Sequence, residues 1–209
     1  MTGAPEDLLA RLELSLRAPL PGIPAQLAMA PEPRSGQRAY FEVEDSCRKA
    51  GVLVLLYVRD GRLRLPLTRR TESVDHHRGQ ISLPGGARQR GESMEAAALR
   101  ETREELGLDL GRVRVLGRLT PLYIPPSNYC IYPTVACLPG PLEFRPQPDE
   151  VAEVIEAPVD RLADPAIIGR ETWRYGGLDH VVPFYELDGH KIWGATAMVL
   201  AEFLALLLQ

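Results

Sequence analysis

The chain has 209 residues, 45% of them hydrophobic and 25% charged, with a formal net charge of −4 at pH 7. That length and composition fit one soluble domain with a sizeable core and some decoration. The acidic balance argues against a polyanion-binding face, so no nucleic-acid partner is expected, and no apolar run reaches membrane-spanning length.

Residues 5–17, PEDLLARLELSLR, place Leu8, Leu9, Leu12 and Leu16 along one side of a short amphipathic helix. Pro19, Pro21, Pro24, Pro31 and Pro33 follow, and they predict an extended strap without regular helix. Residues 1–46 therefore read as a helix and a proline-rich strap, either a flexible leader or an arm on the domain or a partner subunit. Residues 47–209 read as the domain proper. Gly51 to Val58, GVLVLLYV, is a continuous apolar run, as a strand buried on both faces requires. An Asp60-Gly61 turn and the alternating RLRLPLT predict a returning strand. After Gly85-Gly86, a helix is predicted from about Ser93 to Leu106, closed by Gly107, with Ala97, Ala98, Thr102 and Leu106 facing inward.

Further strands are predicted at 113–119, 129–138, 151–157 and 180–187, and a final helix over 195–208 whose one charge is Glu202. A helix apolar nearly all round is buried in a core or an interface. Together with the strap it predicts a homodimer or, with equal weight, a helix that covers the sheet of its own domain. Strands on both sides of a central helix predict an α/β (α+β) sandwich. Cys47, Cys130 and Cys137 are odd in number and form no CxxC pair, which predicts three buried free thiols in a reducing compartment. Glu6, Asp7, Arg11 and Glu13 interrupt the N-terminal apolar residues, unlike a secretory leader, so a cytoplasmic location is expected.

The chemistry concentrates on the central helix. Glu101, Glu104 and Glu105 fall within about 60° of one another on its surface. Like charges at that spacing weaken a helix, and a bound cation rationalises them. Hard divalent ions take oxygen ligands, commonly one or two carboxylates plus substrate phosphates for Mg²⁺. A solvated charged face is the competing explanation. Against it stands the glycine-rich turn LPGGARQRGE, where Gly85 and Gly86 let the backbone approach a metal or phosphate closely.

Gly86, five residues, Glu92, seven residues and then Arg100-Glu101-Thr102-Arg103-Glu104-Glu105-Leu106-Gly107-Leu108 resemble the Nudix box, G-x5-E-x7-R-E-U-x-E-E-x-G-U. Thr102 stands where that pattern has an aliphatic residue. The resemblance implies the Nudix fold, a mixed β-sheet sandwiched between helices, and a Mg²⁺- or Mn²⁺-dependent hydrolase of small-molecule diphosphates. Glu101 and Glu105 are then the first-choice metal ligands, Glu104 a third, and a backbone carbonyl around Gly86 completes the set. Arg100 orients a neighbouring carboxylate, and the general base is left among Glu104, Glu150 and Glu153.

Upstream, Leu65-Pro66-Leu67-Thr68-Arg69-Arg70-Thr71 and Gly79-Gln80-Ile81-Ser82-Leu83-Pro84-Gly85-Gly86 resemble the extension that marks the coenzyme A pyrophosphatase branch. Thr68, Arg70, Gly79, Pro84, Gly85 and Gly86 match in register, while Thr71, Asp75 and Leu83 depart. The resemblance implies cleavage of coenzyme A or acyl-CoA to 3′-phosphoadenosine 5′-phosphate and (acyl-)4′-phosphopantetheine. Arg69, Arg70, Arg78 and Gly85 are the expected substrate-binding residues. The alternatives are a Nudix hydrolase of another nucleoside diphosphate derivative, such as ADP-ribose or a dinucleotide, and a ligand sensor without turnover.

Overall fold

The computed structural model describes residues 3–32, 46–71 and 79–208. Strand β1 (Arg48–Arg59) is the spine of a mixed sheet. It pairs antiparallel with β2 (Arg62–Arg70) and, nearer its start, with β4 (Gly85–Ala87). The β1–β2 turn places Asp60 at φ 52° and Gly61 at φ 68°, the left-handed pair that an Asp-Gly hairpin uses. β2 also carries β3 (Ile81–Ser82) and β8 (Val151–Pro158). On its other side β1 runs parallel to β7 (Tyr129–Cys137), which in turn carries β5 (Arg114–Arg118) and β6 (Leu122–Ile124).

Both faces of β1 are covered, which accounts for its unbroken apolar run. Leu53, Leu55 and Tyr57 point to one face, where α3 (Met94–Leu106) brings Ala98 and Leu106. Ser93 caps this helix by accepting from the Ala96 amide at 3.0 Å, and Gly107 ends it at φ 63°. Thr102, the departure from the box pattern, is fully buried, and its hydroxyl donates to the Ala98 carbonyl at 2.7 Å. One polar atom thus enters the packing side already satisfied.

Val54 and Leu56 point to the opposite face, into a core that includes Leu8, Leu12, Met29, Leu200 and Phe203. Those residues come from α1 (Pro5–Ser15), the strap, and the final helix α5 (Gly194–Leu207); a single turn, α4 (Val159–Leu162), follows β8. The strap does not follow the expected extended path. Gly22–Leu27 form a short helix, α2, because Pro24 lies in its first turn, where a missing N–H costs no helical bond. Helix α5 is buried within its own chain beneath α1 and α2, so the apolar surface on which a homodimer was expected is already covered.

The charge on α5 also stays inside. Glu202 is fully buried and accepts from the Gly22 amide at 3.1 Å, the Gln26 side-chain amide at 2.7 Å, the Thr120 amide at 3.2 Å and the Thr120 hydroxyl at 2.6 Å. One carboxylate thus ties the N-terminal arm and the β5–β6 connection to the final helix.

A second sheet, absent from the sequence reading except for its middle strand, contains β9 (Ile168–Tyr175), β10 (Leu178–Leu187) and β11 (His190–Trp193). Glu32 of the arm exchanges backbone bonds with Val181 at its margin. The cysteine expectation is corrected as well. Cys47 and Cys130 form a disulfide, with Cα atoms 5.8 Å apart, and only Cys137 is a buried free thiol. The parallel β1–β7 register brings the pair together across 83 residues, a proximity that spacing along the chain cannot reveal. The thiol count therefore no longer points to a reducing compartment. Among the described residues, no helix is long and apolar enough to cross a membrane.

Candidate active site

The site is built where α3 crosses the start of β1. β4 lies against β1 in the register Ala50↔Ala87, Gly51↔Gly86, Val52↔Gly85. Gly51 has no room for a side chain, since a Cβ would run into the Met94 carbonyl and come within 2.9 Å of the Ala98 amide. Gly85, at φ 147°, is closed in the same way by the backbone of Gly51 and Val52. At Gly86 a Cβ would lie 2.6 Å from the Glu101 carboxylate. Glycine at these three positions lets the helix and two strands meet at backbone distance, with the Glu101 carboxylate resting against Gly86.

Glu105 lies deeper, 5% exposed, and its Oε2 accepts from the Gly85 amide at 3.1 Å. Burial pushes its carboxyl up to about 7; the Gly85 amide and the charge of Arg70 oppose that rise, while Glu101 and Glu150 add to it. Arg100 gathers the rest. Its Nε donates to Glu92 at 3.0 Å, one terminal nitrogen to Glu101 at 2.7 Å and Glu104 at 3.0 Å, and the other to the Ala87 carbonyl at 3.1 Å. The Arg100 guanidinium, assisted by the Gln89 amide, holds Glu92 below the usual carboxylate range. Arg100 is thus engaged with three carboxylates and a backbone carbonyl.

Consecutive arginines on β2 part company. A β-bulge at Arg69/Arg70 interrupts pairing with β8. The half-buried Arg70 exerts its charge on Glu105, and its Nε has no hydrogen-bond partner among the described residues. Arg69 instead donates through Nε to Glu153 at 2.9 Å. That bond, with His190 Nε2 at 3.5 Å from the other oxygen, holds Glu153 below the usual range. Of the three base candidates, Glu153 is therefore engaged by Arg69, Glu104 is paired with Arg100, and Glu150 is exposed within electrostatic reach of Glu105. Arg78, with Asp75, His76 and His77, lies outside the described residues.

Among the described residues, no three acidic, histidine or cysteine side chains gather closely enough to hold an ion as they stand. Arg100 draws Glu101 and Glu104 to itself, and Glu105 turns to Gly85. The donors nonetheless fit a hard divalent cation: they are oxygens throughout, and the buried Glu105, pushed up to about 7, would give up its proton on binding a metal.

A mixed sheet between helices, with a glycine turn feeding a carboxylate-bearing helix, defines a Nudix domain. Residues 48–174 match the NUDIX domain, and the chain belongs to that family as a Nudix hydrolase. It is 34% identical over 178 residues to an uncharacterised Nudix hydrolase, NudL, of Photorhabdus laumondii, covering 85% of this chain and 90% of that one. It is 33% identical over 205 residues to the mitochondrial coenzyme A diphosphatase NUDT8 of Homo sapiens, covering 95% and 79%. With the chloroplastic Nudix hydrolase 22 of Arabidopsis thaliana it shares 32% identity over 203 residues, 93% of this chain and 63% of that one. Among solved structures, the Nudix hydrolase RenU of M. smegmatis superposes with a TM-score of 0.45 at 27% identity, covering 56% and 74%.

Three residues beside Arg69 escaped the sequence reading: His190, Lys191 and Trp193. They lie on β11, beyond the matched family region; Trp193 stands in Ile192-Trp193-Gly194-Ala195-Thr196-Ala197, which resembles the final helix entry of the coenzyme A pyrophosphatase branch, but that resemblance gave none of the three a role at the site.

Proposed function

We propose that the chain cleaves the diphosphate of coenzyme A or acyl-CoA to 3′-phosphoadenosine 5′-phosphate and (acyl-)4′-phosphopantetheine, with Mg²⁺ or Mn²⁺ held by Glu101, Glu104, Glu105 and the Gly86 carbonyl. The observation that carries this reading is Arg70, the branch-motif arginine, whose charge acts on Glu105 and whose Nε has no partner among the described residues. Likeness to a coenzyme A diphosphatase along 95% of the chain supports it. The bound ion supplies Lewis acidity and a more acidic water. The protein's share is positional: Arg100 orients the carboxylates, the glycine turn admits the diphosphate, and Arg70 offers a guanidinium to its oxygens.

A second reading keeps the reaction and changes the substrate to ADP-ribose or a dinucleotide. Asp75 favours it, since it puts a negative charge where the branch pattern has an arginine. A panel assay with product analysis decides between them. We expect coenzyme A to be cleaved faster than its dephospho form, ADP-ribose or dinucleotides at equal concentration. Equal rates, or faster cleavage of ADP-ribose, would establish the second reading.

A further inference from the structure

A cleft of about 490 Å³ opens between β2–β3 and the β10–β11 hairpin, lined by Arg69, Gln80, Ile81, His190, Lys191 and Trp193. Its position follows from strand alternation. Leu63, Leu65 and Leu67 of β2 belong to the core on the α5 side, so Arg69 continues that face, while Arg70, past the bulge, acts on Glu105. The cleft therefore lies on the opposite side of β2 from the catalytic carboxylates. Only one peptide step, about 3.8 Å between Cα atoms, separates the two arginines.

The lining joins cations to an aromatic surface. Glu153 orients Arg69 through Nε alone, and the two terminal nitrogens make no hydrogen bond among the described residues. Glu171 holds Lys191 through one contact at 2.6 Å, leaving ammonium protons to spare. The same Glu171 accepts from the Trp173 indole at 3.0 Å, and Trp173 packs edge-on against Trp193 with centroids 4.8 Å apart. The cations and the indole are thus held in place before any ligand arrives, which lowers the entropy lost on binding. Fixed guanidinium and ammonium donors suit a phosphate, and a braced indole suits the face of a base.

We propose that this cleft binds the 3′-phosphorylated nucleoside end of the substrate, with Arg69 and Lys191 on the phosphate and Trp193 against the base. The proposal rests on the coenzyme A reading above and assigns specificity to a hairpin outside the matched family region. Arg70 then serves the diphosphate and Arg69 the distal phosphate, so adjacent residues divide one long ligand between the two sides of a strand.

The chain has two tryptophans, and they are the touching pair beside the cleft, so intrinsic fluorescence reads the site directly. The probe is 3′-phosphoadenosine 5′-phosphate, titrated without metal into the full chain and into a Trp173→Phe variant that keeps Trp193 as sole tryptophan, excited selectively over the tyrosines. Saturable quenching is expected, about tenfold weaker for adenosine 5′-monophosphate and about tenfold weaker in Lys191→Ala. Isothermal titration of the parental chain against Lys191→Ala gives the same comparison with both tryptophans retained. Absence of saturable binding, or equal affinity for the two nucleotides, would overturn the proposal, as would an unchanged affinity in Lys191→Ala. Coenzyme A cleavage with the cleft failing these tests would leave the function standing and remove the cleft from it. Cleft binding without coenzyme A cleavage would do the reverse.

Discussion

Glu105 concentrates the physics of the site in one side chain. Its carboxyl, raised to about 7 from an ordinary 4.5 chiefly by burial, takes up a proton more readily in the folded chain than in the unfolded one. The folded state therefore binds more protons between those values, so metal-free stability falls as pH rises from about 4.5 through about 7. Each unit is worth about 1.4 kcal/mol. Glu105→Gln should flatten that slope, because the amide carries no charge and its oxygen can still accept from Gly85. Urea midpoints at pH 5 and pH 8 in a chelator check this, and an unchanged slope would mean the carboxyl titrates normally. With metal present the same substitution, or Glu101→Gln, should cut turnover by about a thousandfold or more while the chain stays folded, since amides are poor Mg²⁺ ligands. Near-parental rates in a folded variant would remove these residues from the site. Arg100→Lys tests orientation separately. A point charge cannot reproduce a fork that reaches Glu92, Glu101, Glu104 and Ala87 together, so kcat should fall about ten- to a hundredfold with KM little changed.

Elements differed in how plainly the chain announced them. β1 was legible because two covered faces demand eight apolar residues in a row, and α3 because its caps, inner face and carboxylate spacing are all local. The strap's prolines predict no helix, yet α2 forms among them because a first turn tolerates proline. β9 was missed because IGRETWRY is largely exposed and owes its conformation to pairing with β10. Within the site, the glycine turn and carboxylates were readable from spacing, whereas the Arg69–Glu153 contact joins strands 84 residues apart in sequence. The disulfide belongs with these long-range features, and its loop gives a prediction. Closing 83 residues removes unfolded-state entropy worth up to about 4–5 kcal/mol, so a Cys47→Ser, Cys130→Ser variant should unfold at clearly lower urea. An unchanged midpoint would show that the β1–β7 register holds without the bond.

The whole molecule is tied through Glu202. Glu202→Ala would leave the Gly22 amide and the Thr120 donors without their acceptor and Gln26 with only the Thr120 carbonyl, at a cost of about 1–3 kcal/mol for each unsatisfied buried group. The arm should then become the first segment cut by protease; parental proteolysis and stability would show that α1 and α2 dock without the latch. There is also a matter of timing. Gln26 and its partner stand 176 residues apart, and a ribosome adds about 5–20 residues each second, so the arm emerges roughly 9–35 s before the Glu202 carboxylate that latches it. During that wait the core that Leu8, Leu12 and Met29 enter lacks its α5 side, Leu200 and Phe203 among it. The apolar residues of α1 and the strap thus stay only partly covered until the last helix is made.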